Sequence, residues 1–189
     1  MKILMSLLLA AALVPAVAVA ADDAELPRDS LYRLPVGLVD QDGRELEWSA
    51  LRGRPQVVGM FYTSCQFICP LIVDSGKALE RQLGADAAGL GVLLVSIDPE
   101  RDDPAALRKV VDQRGLDTTR WTLAAPPAGQ VRAVAGALGV RYRRLADGEF
   151  NHNSPLVLLD AQGRELARTE KIGSRLDPEF VEAVRQALR

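Results

Sequence analysis

A pair of cysteines between an apolar strand and a helix constrains the fold of this chain more than any other feature. Residues 57–62 form a continuous apolar run of strand length, and Cys65, Cys69 and Pro70 follow closely. Proline suits the first turn of a helix. Apolar residues at helical spacing then continue the segment: Leu71, Ile72, Ala78, Leu79 and Leu83. Because residues four positions apart on a helix share one face, we expect both sulfur atoms to point to the same side.

The rest of the chain alternates between strand-like and helix-like segments. Strands are predicted at residues 36–40, 44–48, 91–97, 121–123, 156–159 and 164–167. Helices are predicted at residues 104–114, at residues 130–138 and from Pro178 onward, and Asp103 and Asp177 precede two of them as N-caps. This alternation indicates an α/β domain. The thiol pair between the first long strand and its helix specifies a thioredoxin-like fold, with a central mixed sheet flanked by helices and an N-terminal β-hairpin.

The N-terminal segment has the features of an export signal. One lysine is followed by an uncharged apolar stretch ending in Ala18-Val19-Ala20, a small-residue pattern that suits cleavage before Ala21. An uncleaved membrane anchor is the alternative, because about 20 apolar residues suffice to span a bilayer. We expect residues 1–20 to be a signal peptide, residues 21–35 an extended lead-in and residues 36–189 the folded domain. Either alternative places the domain in the periplasm, where disulfides persist.

Composition restricts the chemistry that this chain can perform. There are 23 Lys and Arg against 25 Asp and Glu, a net charge of -2, and only 5% aromatic residues. This balance argues against a nucleic-acid partner, which requires a basic footprint and stacking side chains. Two cysteines and one histidine are too few for a four-ligand zinc site or an iron–sulfur cluster. Any thiol or imidazole chemistry must therefore involve Cys65, Cys69 and His152.

The cysteine pair is compatible with three kinds of site. A structural disulfide would close only a short loop and stabilise the fold weakly. A redox-active pair is the second kind, although oxidoreductases usually have two residues between the cysteines and this chain has three. A soft metal site is the third, with thiolates that suit Cu(I) and an imidazole that adds capacity for Cu(II). The adjacent helix start predicts a lowered pKa for at least one thiol.

Three segments, in this order, resemble motifs of the Sco/SenC family of copper-binding proteins. The first is the C-x-x-x-C-P motif of Cys65 to Pro70, after its apolar strand. The second is the segment VSIDPERDDP at residues 95–104. The third is the Asn151-His152-Asn153-Ser154 segment, a polar loop before the apolar strand at residues 156–159. In a thioredoxin-like layout this loop lies against the start of the cysteine helix.

The resemblance implies a thioredoxin-like domain that binds one copper ion, Cu(I) or Cu(II), through Cys65, Cys69 and His152. It also implies that Asp98 lies near the copper loop, where it would contact the residues that bind copper rather than the copper itself. A turn carboxylate is the alternative role for Asp98. Three further residues of the same segment are expected to form a solvated loop: Glu100, Arg101 and Asp102.

The functional expectation from this resemblance is a monomeric copper chaperone. Its partners would be a copper-acceptor protein, expected to be a subunit of cytochrome c oxidase, and a thioredoxin-like reductant. Two alternatives remain open. The chain could be a thiol–disulfide oxidoreductase or thiol peroxidase, with Cys65 and Cys69 as a catalytic redox-active disulfide, or a redox or copper sensor. Dependence on His152 separates a chaperone from an oxidoreductase, because disulfide exchange does not require the imidazole.

Overall fold

The computed structural model describes residues 25–65 and 68–189. The predicted signal peptide at residues 1–20 and the start of the predicted lead-in lie outside the described residues, as do residues 66 and 67 of the cysteine motif. Within the described part of the chain, no helix combines the length and the apolar character needed to cross a membrane.

The described residues form strands and α-helices in an alternating order. The strands are β1 (Gly37–Asp40), β2 (Glu45–Glu47), β3 (Gln56–Phe61), β4 (Gly91–Ser96), β5 (Trp121–Ala125), β6 (Tyr142–Arg144), β7 (Phe150–His152), β8 (Leu156–Leu159) and β9 (Glu165–Thr169). The helices are α1 (Ile68–Leu83), α2 (Pro104–Arg114), α3 (Val131–Leu138) and α4 (Pro178–Ala187). Most predicted elements are therefore present, with boundaries that differ by a few residues.

The main sheet is mixed, as predicted. Its strands lie in the order β2-β1-β5-β4-β3-β8-β9, and β3 is parallel to β4, which is parallel to β5. β8 pairs antiparallel with β3, and β1 pairs antiparallel with both β2 and β5. Helices α1, α2 and α4 pack on this sheet through contacts with β3, β5 and β9. The cysteine motif follows the carboxyl end of β3 in the chain.

Local sequence accounts for the central elements. β3 and β4 are buried along their whole length, which explains their uninterrupted apolar sequence. The Asp103 side chain caps α2 by accepting the N–H of Ala106 at 2.8 Å, and Pro104 occupies the first turn. The helix ends at Arg114, and the following residue, Gly115, adopts a left-handed φ of 57°. The prediction of this helix is confirmed.

Three details of the predicted fold differ in the structure. α1 begins at Ile68, before Pro70, and Leu71 is 39% exposed, so Leu71 is not part of the buried face. The predicted lead-in contains a 3-10 helix at Leu31–Arg33, which allows the ring of Tyr32 to be buried. Residues 150–152, predicted as loop, form strand β7, which pairs with β6 in a separate two-stranded hairpin.

A close contact between α1 and β5 leads to a stability prediction. A Cβ added at Gly76 would lie 2.8 Å from Cζ2 of the Trp121 indole and closer still to Cη2. The indole cannot easily move, because it is fully buried and its Nε1–H donates to Glu80 Oε1 at 2.9 Å. We expect Gly76→Ala to lower the free energy of unfolding by about 1–3 kcal/mol, measured by urea denaturation.

Gly136 on α3 provides the matched control for this helix substitution. An added Cβ there meets nothing within 4 Å, so Gly136→Ala should leave stability unchanged or raise it by up to about 1 kcal/mol. Equal effects of the two substitutions would contradict the packing argument.

Candidate metal centre at the end of strand β3

The two cysteines lie together where β3 leads into α1. The backbone N–H of Cys69 donates to Cys65 Sγ at 3.4 Å, and the N–H of Tyr62 donates to Cys69 Sγ at 3.4 Å. Cys69 is buried and Cys65 is half-buried. Both cysteines lie within the described residues, and they are not joined by a disulfide. The structure therefore places Cys65 Sγ against the first turn of α1, which carries Cys69, although Cys65 itself precedes the helix.

The surroundings of Cys69 raise its thiol pKa above the ordinary value. The interaction with Cys65 is the largest cause, burial is the second, and the hydrogen bond from the Tyr62 backbone opposes them without prevailing. Cys69 is therefore not the thiol with a lowered pKa that the sequence predicts, because a close second thiol and burial raise its pKa. A metal ion that binds Cys69 must displace its proton.

His152 is the last residue of β7 and presents an available nitrogen. Its Nδ1 lies 2.9 Å from the carbonyl oxygen of Asn153 and 3.3 Å from Ser154 Oγ. A carbonyl can only accept a hydrogen bond, so in the neutral imidazole Nδ1 carries the proton and Nε2 carries a lone pair. Nε2 is buried and has no hydrogen-bond partner among the described residues. Buried polar atoms are normally paired, so this nitrogen fits the role of a metal ligand.

The side chain of Tyr62 connects the thiols with His152. Its ring lies edge-on to the His152 ring, with centroids 5.8 Å apart, and edge-on to Phe150 at 5.4 Å. Its hydroxyl donates to the Phe150 carbonyl and accepts the Phe150 N–H, both at 3.3 Å, and the side chain also interacts with Cys65. Burial raises the pKa of Tyr62. The sequence pattern predicts Tyr62 only as the last residue of a strand. Its place as an aromatic residue just before the cysteine motif is the one sequence feature that indicates a role at the site.

The three predicted ligands are near one another without forming a finished site. Cys65 and Cys69 are in contact, whereas His152 contacts the Tyr62 ring. Among the described residues, no three side chains of His, Cys, Asp or Glu are arranged to hold a metal ion. Binding by all three residues would therefore require their side chains to move closer together.

The predicted carboxylate neighbour, Asp98, stabilises a turn. It is buried, its carboxylate forms an ion pair with Arg101, and its carbonyl accepts the N–H groups of Arg101 and Asp102, both at 3.0 Å. The Arg101 guanidinium also donates hydrogen bonds to Glu149 Oε1 at 3.2 Å and to the Gly148 carbonyl oxygen at 2.8 Å. These contacts match the alternative role that the sequence left open for Asp98, that of a turn carboxylate.

Asp102 contacts the segment that leads to the cysteines. It is 1% exposed and accepts the N–H of Thr63 at 3.1 Å, the hydroxyl of Thr63 at 2.5 Å and the hydroxyl of Ser96 at 2.6 Å. Burial raises its pKa in spite of these hydrogen bonds. The expectation that Asp102 lies in a solvated loop is wrong, because the cap residue Asp103 points outward and Asp102 points inward. Asp102 fixes the ends of β3 and β4 below the cysteine motif.

A cleft of about 210 Å³ opens beside the thiols. Its wall includes Cys65, Cys69, Val73, Gln113 and Arg114. Arg114 is held in place by a hydrogen bond to the Pro70 carbonyl at 3.3 Å and an ion pair with Asp74. The cleft gives a small group, such as one side chain of another protein, access to both sulfur atoms.

Comparison with known proteins identifies the family. The model of the SCO1/SenC family matches residues 27–188, a range that contains the cysteine motif, the segment at residues 95–104 and His152. The chain belongs to the SCO1/SenC family. The resemblance found from three sequence motifs is confirmed. One relative is the SCO1 protein homolog of Bacillus subtilis, 28% identical over 87 residues, and the match covers 46% of this chain and 45% of that protein. This chain thus spans about half the length of that relative.

Solved structures of Sco proteins share the fold. ScoI from Bradyrhizobium japonicum, solved with copper bound, is 24% identical with a TM-score of 0.67, covering 81% of this chain and 95% of that one. BsSco, in which a disulfide switch was identified and which belongs to the Sco family of cytochrome c oxidase assembly proteins, is 21% identical with a TM-score of 0.69. That alignment covers 82% of this chain and 91% of BsSco. The predicted thioredoxin-like α/β fold is confirmed.

Proposed function

We propose that this chain is a periplasmic copper chaperone that holds one copper ion with Cys65, Cys69 and His152. The observation that carries the proposal is the hydrogen bonding of the two ring nitrogens of His152. Its Nδ1–H is fixed by the Asn153 carbonyl, and its buried Nε2 has no hydrogen-bond partner among the described residues. The His152 ring contacts the ring of Tyr62, and the Tyr62 side chain also interacts with Cys65, which lies against Cys69. Two sulfur donors and one imidazole nitrogen form a donor set that suits copper.

Each ligand has a distinct part in the proposed binding. Cys65 and Cys69 would lose their protons and supply the soft sulfur donors that Cu(I) prefers. His152 would supply the nitrogen donor that Cu(II) prefers, through Nε2. The hydrogen bond from Nδ1 to Asn153 would hold the imidazole in the correct tautomer for that role. Copper is the cargo here and would leave by ligand exchange with an acceptor protein.

The family relationship supports the cargo and the destination. Bradyrhizobium ScoI holds copper in its solved structure, and BsSco belongs to a family of cytochrome c oxidase assembly proteins. By this relationship the acceptor would be a subunit of cytochrome c oxidase, and a thioredoxin-like protein would keep the cysteines reduced. The N-terminal sequence supports export to the periplasm. N-terminal sequencing of the mature protein would test cleavage before Ala21.

A copper titration tests the proposed function directly. The reduced protein should bind about one copper ion per chain, because the sequence contains one group of soft ligands. Oxidation of Cys65 and Cys69 to a disulfide should abolish this binding, since disulfide sulfur is a poor ligand. The stoichiometry is measured by metal analysis after gel filtration. Equal copper uptake by the reduced and oxidised proteins would exclude the cysteines as ligands.

A thiol–disulfide oxidoreductase is the second candidate function. It is favoured by the close approach of Cys69 N to Cys65 Sγ, at 3.4 Å, and by the cleft that reaches both sulfur atoms. In this reaction the two thiols would form a disulfide and release two protons and two electrons. The electrons would reduce a disulfide of the partner protein to two thiols, and the cleft beside the cysteines would admit the partner's sulfur.

A further inference from the structure

We propose that a groove between α3 and β6 is the surface on which an acidic protein partner docks beside His152. The groove, called the arginine groove below, has a volume of about 560 Å³ and is bordered by Arg132, Arg141, Arg143 and Arg144. The proposal deepens the proposed function, because the docked protein would be the one that exchanges copper with this chain. It rests on that function for the partner's role, whereas the charge of the partner follows from the groove itself.

The arginine groove is a local positive patch on an acidic protein. Between Asp117 and Asp147 the sequence contains five arginines and no Asp or Glu, although the whole chain has a net charge of -2. Arg132, Arg141 and Arg143 are exposed. Their guanidinium groups form no ion pair or hydrogen bond with any residue in the described ranges. Such groups are available to pair with carboxylates of another protein.

The fourth arginine of the groove, Arg144, has two weak intramolecular partners, and in one of these contacts its guanidinium carbon lies 5.8 Å from the centroid of the Phe150 ring. Arg144 forms an ion pair with Glu100 at 3.2 Å, and both side chains are more than half exposed. Exposed pairs contribute little stability, so a partner's carboxylate can replace Glu100 at small cost. Glu170 also lies near the groove, where it accepts a hydrogen bond from the Asn153 amide at 3.2 Å. Neither carboxylate neutralises the three unpaired guanidinium groups.

The position of the arginine groove relates it to the candidate metal centre. β6 and β7 pair so that Tyr142 lies opposite His152 and Arg143 lies opposite Asn151. Arg143 and Arg144 are therefore on the same two-stranded hairpin as the proposed imidazole ligand, whereas Arg132 lies on α3 and Arg141 directly precedes β6. On the other side of the groove, α3 presents Gly136, where an added Cβ would meet nothing within 4 Å. A partner seated here would contact β6, the strand that pairs with the strand of His152.

The chemistry of the arginine groove favours an acidic protein over other anions. A guanidinium group binds a carboxylate with two parallel hydrogen bonds, which gives orientation as well as attraction. The groove-lining arginines are all exposed, so they suit electrostatic steering of a protein more than tight capture of a small anion. The acidic net charge of the chain and its low aromatic content oppose binding to a nucleic acid.

The test uses a defined acidic probe and the full chain. A fluorescein-labelled hexaglutamate peptide is titrated into the protein at low ionic strength and followed by fluorescence anisotropy, with hexaglutamine as the uncharged control. The triple variant Arg132→Gln, Arg141→Gln and Arg143→Gln should bind hexaglutamate about tenfold more weakly, and added salt should remove the difference. Phosphatidylglycerol vesicles and a single-stranded oligonucleotide are tested in parallel.

The matched control removes three other exposed arginines that form no side-chain hydrogen bond or ion pair within the described residues: Arg28, Arg81 and Arg189. Their replacement by Gln makes the same change in net charge and should alter hexaglutamate affinity by less than about twofold. Equal weakening in both triple variants would overturn the proposal, as would tighter binding of the vesicles or the oligonucleotide than of the peptide. If the groove triple does not fold, Arg143→Glu alone should still weaken peptide binding, and unchanged affinity would overturn the proposal.

Copper binding is measured separately on the same variants. The groove variants should bind as much copper as the original chain, because they retain all three proposed ligands. Failure of the original chain to bind copper would contradict the proposed function and leave the peptide result intact. A normal copper stoichiometry with no groove-dependent peptide binding would contradict only the docking proposal.

Discussion

Replacement of His152 by Ala is expected to weaken Cu(II) binding by at least about 100-fold, with a smaller loss for Cu(I). Cu(II) prefers nitrogen donors, and His152 is the only imidazole in the sequence. Cu(I) is satisfied by two thiolates. Formation of the disulfide between Cys65 and Cys69 should continue, because the Sγ of Cys65 is positioned by the backbone N–H of Cys69 and not by the imidazole. The affinities are measured by competition with chelators of known strength for each oxidation state.

Asn151→Ala is the control for this substitution, since Asn151 is an exposed neighbour on the same strand. It should change neither copper affinity. Unchanged copper binding in His152→Ala, together with loss of thiol exchange, would identify the imidazole as a proton-transfer group beside a nucleophilic cysteine. The oxidoreductase function would then replace the chaperone function.

The parts of the fold that follow from local sequence were predictable. β3 and β4 are uninterrupted apolar runs because both of their faces are buried. α2 follows from the Asp103-Pro104 cap and from Gly115. The hairpin of β6 and β7 was missed because each strand has three residues and the segment is rich in charged and polar side chains. Its pairing depends on contacts between strands, which local patterns do not report.

The candidate site was predictable in its donors and not in its arrangement. The scarcity of cysteine and histidine is enough, from composition alone, to single out Cys65, Cys69 and His152. The Tyr62 ring between the thiols and His152 could not be foreseen, because it depends on how β7 packs against the end of β3. The inward direction of Asp102 has the same kind of cause, since it depends on the ends of β3 and β4 meeting.

Replacement of Cys69 by Ser is expected to weaken Cu(I) binding on the order of a thousandfold, because a hydroxyl is a hard donor that does not replace a thiolate. The fold should survive the substitution. The serine hydroxyl can accept the Tyr62 N–H that Cys69 Sγ accepts at 3.4 Å, and the change of one buried atom should cost less than about 2 kcal/mol of unfolding free energy. Copper affinity by chelator competition and urea denaturation are measured on the same preparation.

Ser64→Ala provides the control for Cys69→Ser, because Ser64 is exposed and precedes Cys65 directly. It should retain both copper affinity and stability. A loss of copper binding in Cys69→Ser that is matched by unfolding would indicate a packing role for the buried thiol. Retained Cu(I) affinity in a folded Cys69→Ser protein would mean that Cys65 and His152 suffice as ligands.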